Sequence, residues 1–154
     1  RKMLANRKIS GKYIWSDGSG IKTYTGSYEL DFVRMTDIWI NLRPEDIEMP
    51  SPHTYTYMYK GEEKFYIPDA FIHSLQLECE IKDGGDNPNG HHKIQEVDKE
   101  KETLKDEVML RQKDFHYIKI CNKDYTQFFG LFKALRDDEL DETERLKKIK
   151  ILGK

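Results

Sequence analysis

The chain has 154 residues, of which 37% are hydrophobic and 12% aromatic, and a formal net charge of −2. That is apolar material for one ordinary core, too much for a wholly disordered chain, and an acidic balance that argues against indiscriminate nucleic-acid binding, because phosphate contacts need local positive charge. No apolar run approaches the roughly 20 residues that span a bilayer and no signal-peptide-like stretch opens the chain, so a soluble, intracellular protein with no membrane association is expected.

The first elements follow from turn chemistry and periodicity. Arg1, Lys2, Arg7, Lys8 and Lys12 make a basic arm, and Lys12 to Trp15 with Ile21 to Thr25 is expected as a hairpin around Ser16, Asp17, Gly18, Ser19 and Gly20. A helix is predicted from Ser27, its N-cap, to about Leu42, with Phe32, Val33, Thr36 and Ile40 on one face and Glu29 in the first turn. An acid there complements the helix dipole, and Asp31, off the stripe, reads as solvated. Pro44, Pro50 and Pro52 mark a loop.

Strands are predicted over 54–60, 63–72 and 75–82, the last two as an antiparallel pair with a short hairpin connection near Ser74. Tyr55, Tyr57 and Tyr59 share one strand parity, which suits a packed sheet face or a base-stacking platform. Pro68 removes a ladder donor, so its strand is expected to lie at an edge or to break near Asp69. From Leu75 onward, Leu75, Leu77, Cys79 and Ile81 alternate with Gln76, Glu78, Glu80 and Lys82, the pattern of a strand with one buried face. Glu80 and Lys82 then project from the same face, roughly 6.5 to 7 Å apart along the strand. Two carboxylates and a strand carbonyl suit a hard cation such as Mg²⁺, and a neighbouring lysine can orient the attacking water or offset charge on a phosphate.

After the turn-forming run 83–90, a helix is predicted over 92–112, a strand over Phe115 to Cys121 and a helix near Tyr125 to Leu135. The charges of the first of these helices, Lys99, Glu100, Lys101, Glu102, Lys105, Asp106 and Glu107 among them, read mostly as a solvated face. Lys101 and Lys105, one turn apart, are the better candidates for phosphate contacts, and His91 and His92 are expected in a loop near the phosphates. Those two histidines make a poor zinc pair, because adjacent side chains point apart and no further ligands are identifiable. Cys79 and Cys121 read as buried free thiols. The tail 137–154, acidic first and basic last, reads as a terminal helix, which leaves 1–136 as the main domain.

Pro68-Asp69 followed by Glu80-Ile81-Lys82, with Glu29 upstream on a helix, resembles the signature of the PD-(D/E)xK nuclease superfamily, and Thr25 to Phe32 adds a similarity to small bacteriophage endonucleases of the junction-resolving or homing type. The resemblance spans about residues 22–121. It implies an α/β fold with a restriction-endonuclease-like core, a mixed central sheet flanked by helices. It also implies catalytic residues Glu29, Asp69, Glu80 and Lys82, with Asp69, Glu80, Glu29 and the Ile81 carbonyl on the metal. The expected activity is divalent-metal-dependent DNA endonucleolysis with Mg²⁺, for which Mn²⁺ substitutes, and no organic cofactor. DNA is the expected partner, a homodimer suits the symmetric cutting of two strands, and a phage-encoded enzyme would act in the cytoplasm of a bacterial host. The alternatives are a noncatalytic DNA-binding or phage structural module on the same fold, and an interaction domain in which the four residues lie far apart.

Overall fold

A computed structural model describes residues 10–83 and 96–136, with side chains described from 99 onward in the second stretch. Residues 1–9, His91, His92 and the expected terminal helix over 137–154 lie outside the described residues. Internal contacts divide the chain into two units, Arg1–Lys123 and Asp124–Lys154. The fold is mixed α/β, and among the described residues no helix is long and apolar enough to cross a membrane.

The first unit begins with the expected hairpin, β1 (Ser10–Ile14) paired antiparallel with β2 (Ile21–Thr25). Helix α1 follows (Ser27–Ile38), shorter at its C-terminal end than the apolar pattern predicted. Its N-cap is Gly26 at φ 90, not Ser27, because the tight exit from β2 needs a left-handed residue there and glycine adopts it without a Cβ clash. At the other end Asn41 turns left-handed and the Leu42 amide donates to the Thr36 carbonyl, so Ile40 falls beyond the helix. Phe32, Val33, Met35 and Thr36 are buried, while Asp31 is half-buried rather than solvated.

A buried acid fastens the hairpin to this helix. Asp37, 3% exposed, accepts hydrogen bonds from the Tyr13 hydroxyl (2.7 Å), the Ser16 amide (2.9 Å) and the Ser16 hydroxyl (2.8 Å). Beside it the Trp15 indole donates to the Leu42 carbonyl at 2.8 Å. Burial, and then the Asp37 carboxylate, push the Tyr13 hydroxyl up to about 12, which keeps it a donor. Asp37→Ala strands these donors and is expected to cost about 2 kcal/mol in denaturant unfolding, whereas a loss below about 0.5 kcal/mol would show that the clasp is dispensable.

The predicted strand over 63–72 is two strands. β4 (Tyr55–Tyr59) and β5 (Glu62–Tyr66) form a hairpin of their own, and β6 (Ala70–Ile72) belongs to a four-stranded sheet between β3 (Ile47–Glu48) and β7 (Leu77–Lys82), with β8 (His116–Cys121) beyond β7. The break falls at Ile67, Pro68 and Asp69, where proline cannot extend the ladder and the Pro68 carbonyl instead accepts from the Ser51 amide at 3.0 Å. The sheet gains β3 (Ile47–Glu48), after a short 3₁₀ turn (Pro44–Asp46), from what the prolines suggested was only loop.

A second 3₁₀ turn (His73–Leu75) and Gln76, left-handed at φ 50, replace the expected start of the next strand. β7 (Leu77–Lys82) runs antiparallel to β6 and parallel to β8 (His116–Cys121), with Glu80 opposite Lys119 and Lys82 opposite Cys121. Parallel neighbours need a crossover, which helix α2 (Glu96–Arg111) provides. α2 covers the β4–β5 hairpin, where Leu104, Val108 and Met109 pack with Tyr55, Tyr57, Tyr59, Tyr66 and Tyr117, so the tyrosine row is a packed face.

In the second unit, backbone 126–136 is helical, and the Asp124 carboxylate accepts from the Thr126 amide at 3.0 Å. Tyr125, Phe128, Phe129 and Phe132 form successive ring contacts along it.

Candidate functional site

β7 is an inner strand covered on both sides, so the expected polar, solvent-facing row is not exposed. Glu78 is fully buried and Glu80 is 6% exposed. Glu78 accepts a short hydrogen bond from the Tyr55 hydroxyl and contacts His53 Nδ1 at 2.9 Å, while the His53 ring stacks on Phe115 with centroids 4.3 Å apart. Its Oε1 has no hydrogen-bond partner among the described residues.

Glu80 lies one step further along the same face. Its Oε1 accepts from the Tyr66 hydroxyl at 2.7 Å, and its Oε2 stands 3.5 Å from the Lys82 ammonium. Asp69, released from the hairpin by the break at Pro68, turns its Oδ2 onto the Ile81 amide at 2.8 Å. The structure thus brings Asp69, Glu80 and Lys82 together at the end of β7. Glu29 lies close enough for its charge to act on Asp69, although its Oε1 accepts from the Thr25 amide at 3.0 Å, a back-bond that fastens the first turn of α1.

The electrostatics of the cluster are those of acids short of positive charge. Burial, and then the Asp69 charge, push Glu80 from the ordinary 4.5 up to about 7. Asp69 is raised too, chiefly by burial, against the pull of the Ile81 amide and with a further push from Glu29. Burial works against the Lys82 charge, but Glu102, Glu80 and Asp69 outweigh it and hold the ammonium above its ordinary value. Burial and the Glu80 charge likewise keep the Tyr66 proton in place.

Sequence reasoning missed the contribution of α2 and β8. Glu102 Oε1 accepts from Lys82 at 2.7 Å and lies 3.7 Å from Lys105, while its Oε2 meets Lys119 at 3.0 Å. Lys119 also reaches Asp106 Oδ2 at 3.0 Å, and the Tyr117 hydroxyl donates to Asp106 Oδ1 at 3.3 Å. Glu102, Lys105 and Asp106 are therefore the covered side of α2, with side chains 18%, 25% and 36% exposed, and not part of a solvated face. Lys105 lies over the Tyr66 ring and Lys101 over the Tyr59 ring, 5.4 and 5.2 Å from the centroids. The signal that could have found this network is parity: Tyr117, Lys119 and Cys121 alternate with His116, Ile118 and Ile120 as Glu78, Glu80 and Lys82 alternate with their neighbours.

Mg²⁺ binds through one or two carboxylates and keeps several waters, which suits Asp69 and Glu80 with one oxygen of each held by the protein. Among the described residues, no three His, Cys, Asp or Glu side chains converge into a ready-made metal cage. Comparison with known proteins gives no match to a family model, to a curated protein or to a solved structure.

Proposed function

We propose that this protein is a divalent-metal-dependent DNA endonuclease that hydrolyses phosphodiester bonds by in-line attack of water. The observation that carries the reading is the meeting of two raised carboxylates, the half-buried Asp69 and the buried Glu80, with the Lys82 ammonium at the end of one strand. Carboxylates raised by burial and mutual repulsion are stabilised by a cation, and perturbed acids beside a lysine are a mark of functional sites. The order α1, β3, β6, β7, α2, β8, with the β4–β5 hairpin inserted between β3 and β6, supports a restriction-endonuclease-like core, with an antiparallel β6–β7 pair and a parallel β7–β8 pair.

Asp69 and Glu80 would hold Mg²⁺ or Mn²⁺, with the Ile81 carbonyl as a further oxygen donor, and Glu29, whose charge acts on Asp69, would complete a second metal position or orient water. A bound divalent cation supplies polarisation of the scissile phosphate and a water made nucleophilic at neutral pH. Tyr66 fixes the Glu80 carboxylate by donating to Oε1, and the Ile81 amide fixes Asp69 in the same way. The Lys82 amine keeps its proton beside three carboxylates, so its role is to orient the water and to offset charge on the phosphate oxygens, not to act as a free base.

Purified protein incubated with supercoiled plasmid and with a four-way junction should cut DNA in Mg²⁺ or Mn²⁺ and leave it intact in chelator, and the preferred substrate would define the subclass. DNA binding with no cleavage on either substrate would favour a noncatalytic DNA-binding or structural module, a reading consistent with the lack of three converging acids among the described residues.

A further inference from the structure

We infer that Glu102 of α2 is a positioning residue of this site: it is the counter-ion of Lys82, and by taking that role it leaves the Glu80 carboxylate to a divalent cation. The inference rests on the nuclease reading for its catalytic consequence, but its geometric content stands apart from it. Lys82 has two carboxylates within reach, Glu102 at 2.7 Å and Glu80 at 3.5 Å. The nearer one is hydrogen-bonded and the farther is not, so the ammonium belongs to Glu102 first.

Glu102 does not depend on Lys82 to stay in place. Lys119 grips its Oε2 from β8 at 3.0 Å, and Lys105, one turn along the same helix, stands 3.7 Å from Oε1. Lys119 is itself braced by Asp106, four residues on from Glu102 on the same face of α2. These braces hold Glu102 on α2 outside the reacting cluster, where it still accepts the Lys82 hydrogen bond. Burial disfavours the Glu102 charge, but the hydrogen bonds from Lys82 and Lys119 outweigh it and keep the carboxylate ionised.

The consequence concerns competition for Glu80. Its Oε1 is committed to Tyr66, so Oε2 is the oxygen that a metal would use, and this is also the oxygen that Lys82 faces. Without Glu102 the Lys82 ammonium would close on Glu80 Oε2 and oppose cation binding there by charge and by occupancy. Partners that orient the ligands of a metal site cost about 10- to 100-fold in metal affinity or activity when they are removed.

The test uses the isosteric, uncharged Glu102→Gln in the whole chain, with Lys119→Gln as a second variant that removes one of its braces. At saturating DNA, Glu102→Gln is expected to raise the Mg²⁺ concentration for half-maximal cleavage and to lower kcat by about 10- to 100-fold, with KM for DNA little changed; Lys119→Gln should move both in the same direction by less. Independently of activity, the Lys82 side-chain ammonium should give an ordered, slowly exchanging ¹⁵N signal in metal-free wild-type protein, and Glu102→Gln should abolish its protection. Unchanged Mg²⁺ dependence together with an unchanged Lys82 signal would overturn the inference. If the wild-type protein cuts no DNA, the nuclease reading fails and the ammonium signal alone decides whether Glu102 is the counter-ion. Should Glu102→Gln not fold, as judged by thermal melting, the Lys119→Gln result decides in the same way.

Discussion

Lys82→Ala is expected to lower metal-dependent cleavage by about 100- to 1,000-fold in kcat, the scale lost when one preorganised donor to a developing charge is removed. KM for DNA should change little, because the ammonium is engaged by carboxylates in the resting protein and acts on charge that develops later. The variant should fold. Lys82 is one-third exposed, and Glu102 keeps Lys105 and Lys119 as counter-charges when it is gone. Single-turnover cleavage of the preferred substrate, beside a melting curve for each protein, checks the expectation. Full activity in a folded Lys82→Ala protein would remove the lysine from the mechanism and with it much of the case for this site.

The second large effect is on stability and has an unusual sign. Most acids in folded proteins are held below their unfolded values and lose stability as pH falls, but Glu80 is raised from 4.5 to about 7 and Asp69 is raised with it. Between those values the folded chain binds more protons than the unfolded chain, so the Glu80 contribution makes stability fall as pH rises from about 4.5 to about 7. At 1.36 kcal/mol per pH unit the full effect above pH 7 is about 3 kcal/mol, shared with the neighbouring acid. Glu102, lowered by its lysines, has the opposite sign, and its contribution is lost only as pH falls below the ordinary carboxylate range. Glu80→Gln is therefore expected to be more stable than wild type at pH 8 in denaturant unfolding, with a flatter pH dependence. Mg²⁺ should stabilise wild type at that pH and have far less effect on the variant. A Glu80→Gln protein that is less stable at pH 8 would mean that the ionised carboxylate is satisfied in the fold without a cation.

Local chemistry made the hairpin at 16–20, most of α1, the β6–β7 pair and the break near Asp69 legible in the sequence, since turn residues, periodicity and a proline act over a few residues. The meeting of Glu80 with Lys82 followed from strand parity alone. What did not follow depends on pairing between distant segments. Glu78 is polar on an alternating strand, and only the cover given by Tyr55 and His53 makes its side buried. Glu102 and Lys119 look like ordinary surface charges until β8 is set parallel to β7 and α2 is laid across the charged side of both. The C-terminal boundary of α1 is not legible in the sequence, because Ile40 continues the apolar pattern whereas the Leu42 amide closes the helix earlier.

The pairing of β7 with β8 has a practical side. Of the chain's two thiols, Cys79 is fully buried and out of reach of reagents, while Cys121 is half-buried and stands directly across from Lys82. Burial pushes the Cys121 thiol up, so labelling should be slow at neutral pH and faster in alkali. The protein thus carries a native attachment point one strand away from its proposed reacting lysine. A small environment-sensitive dye placed there would follow cation and DNA arrival in real time, with no cysteine introduced and none removed.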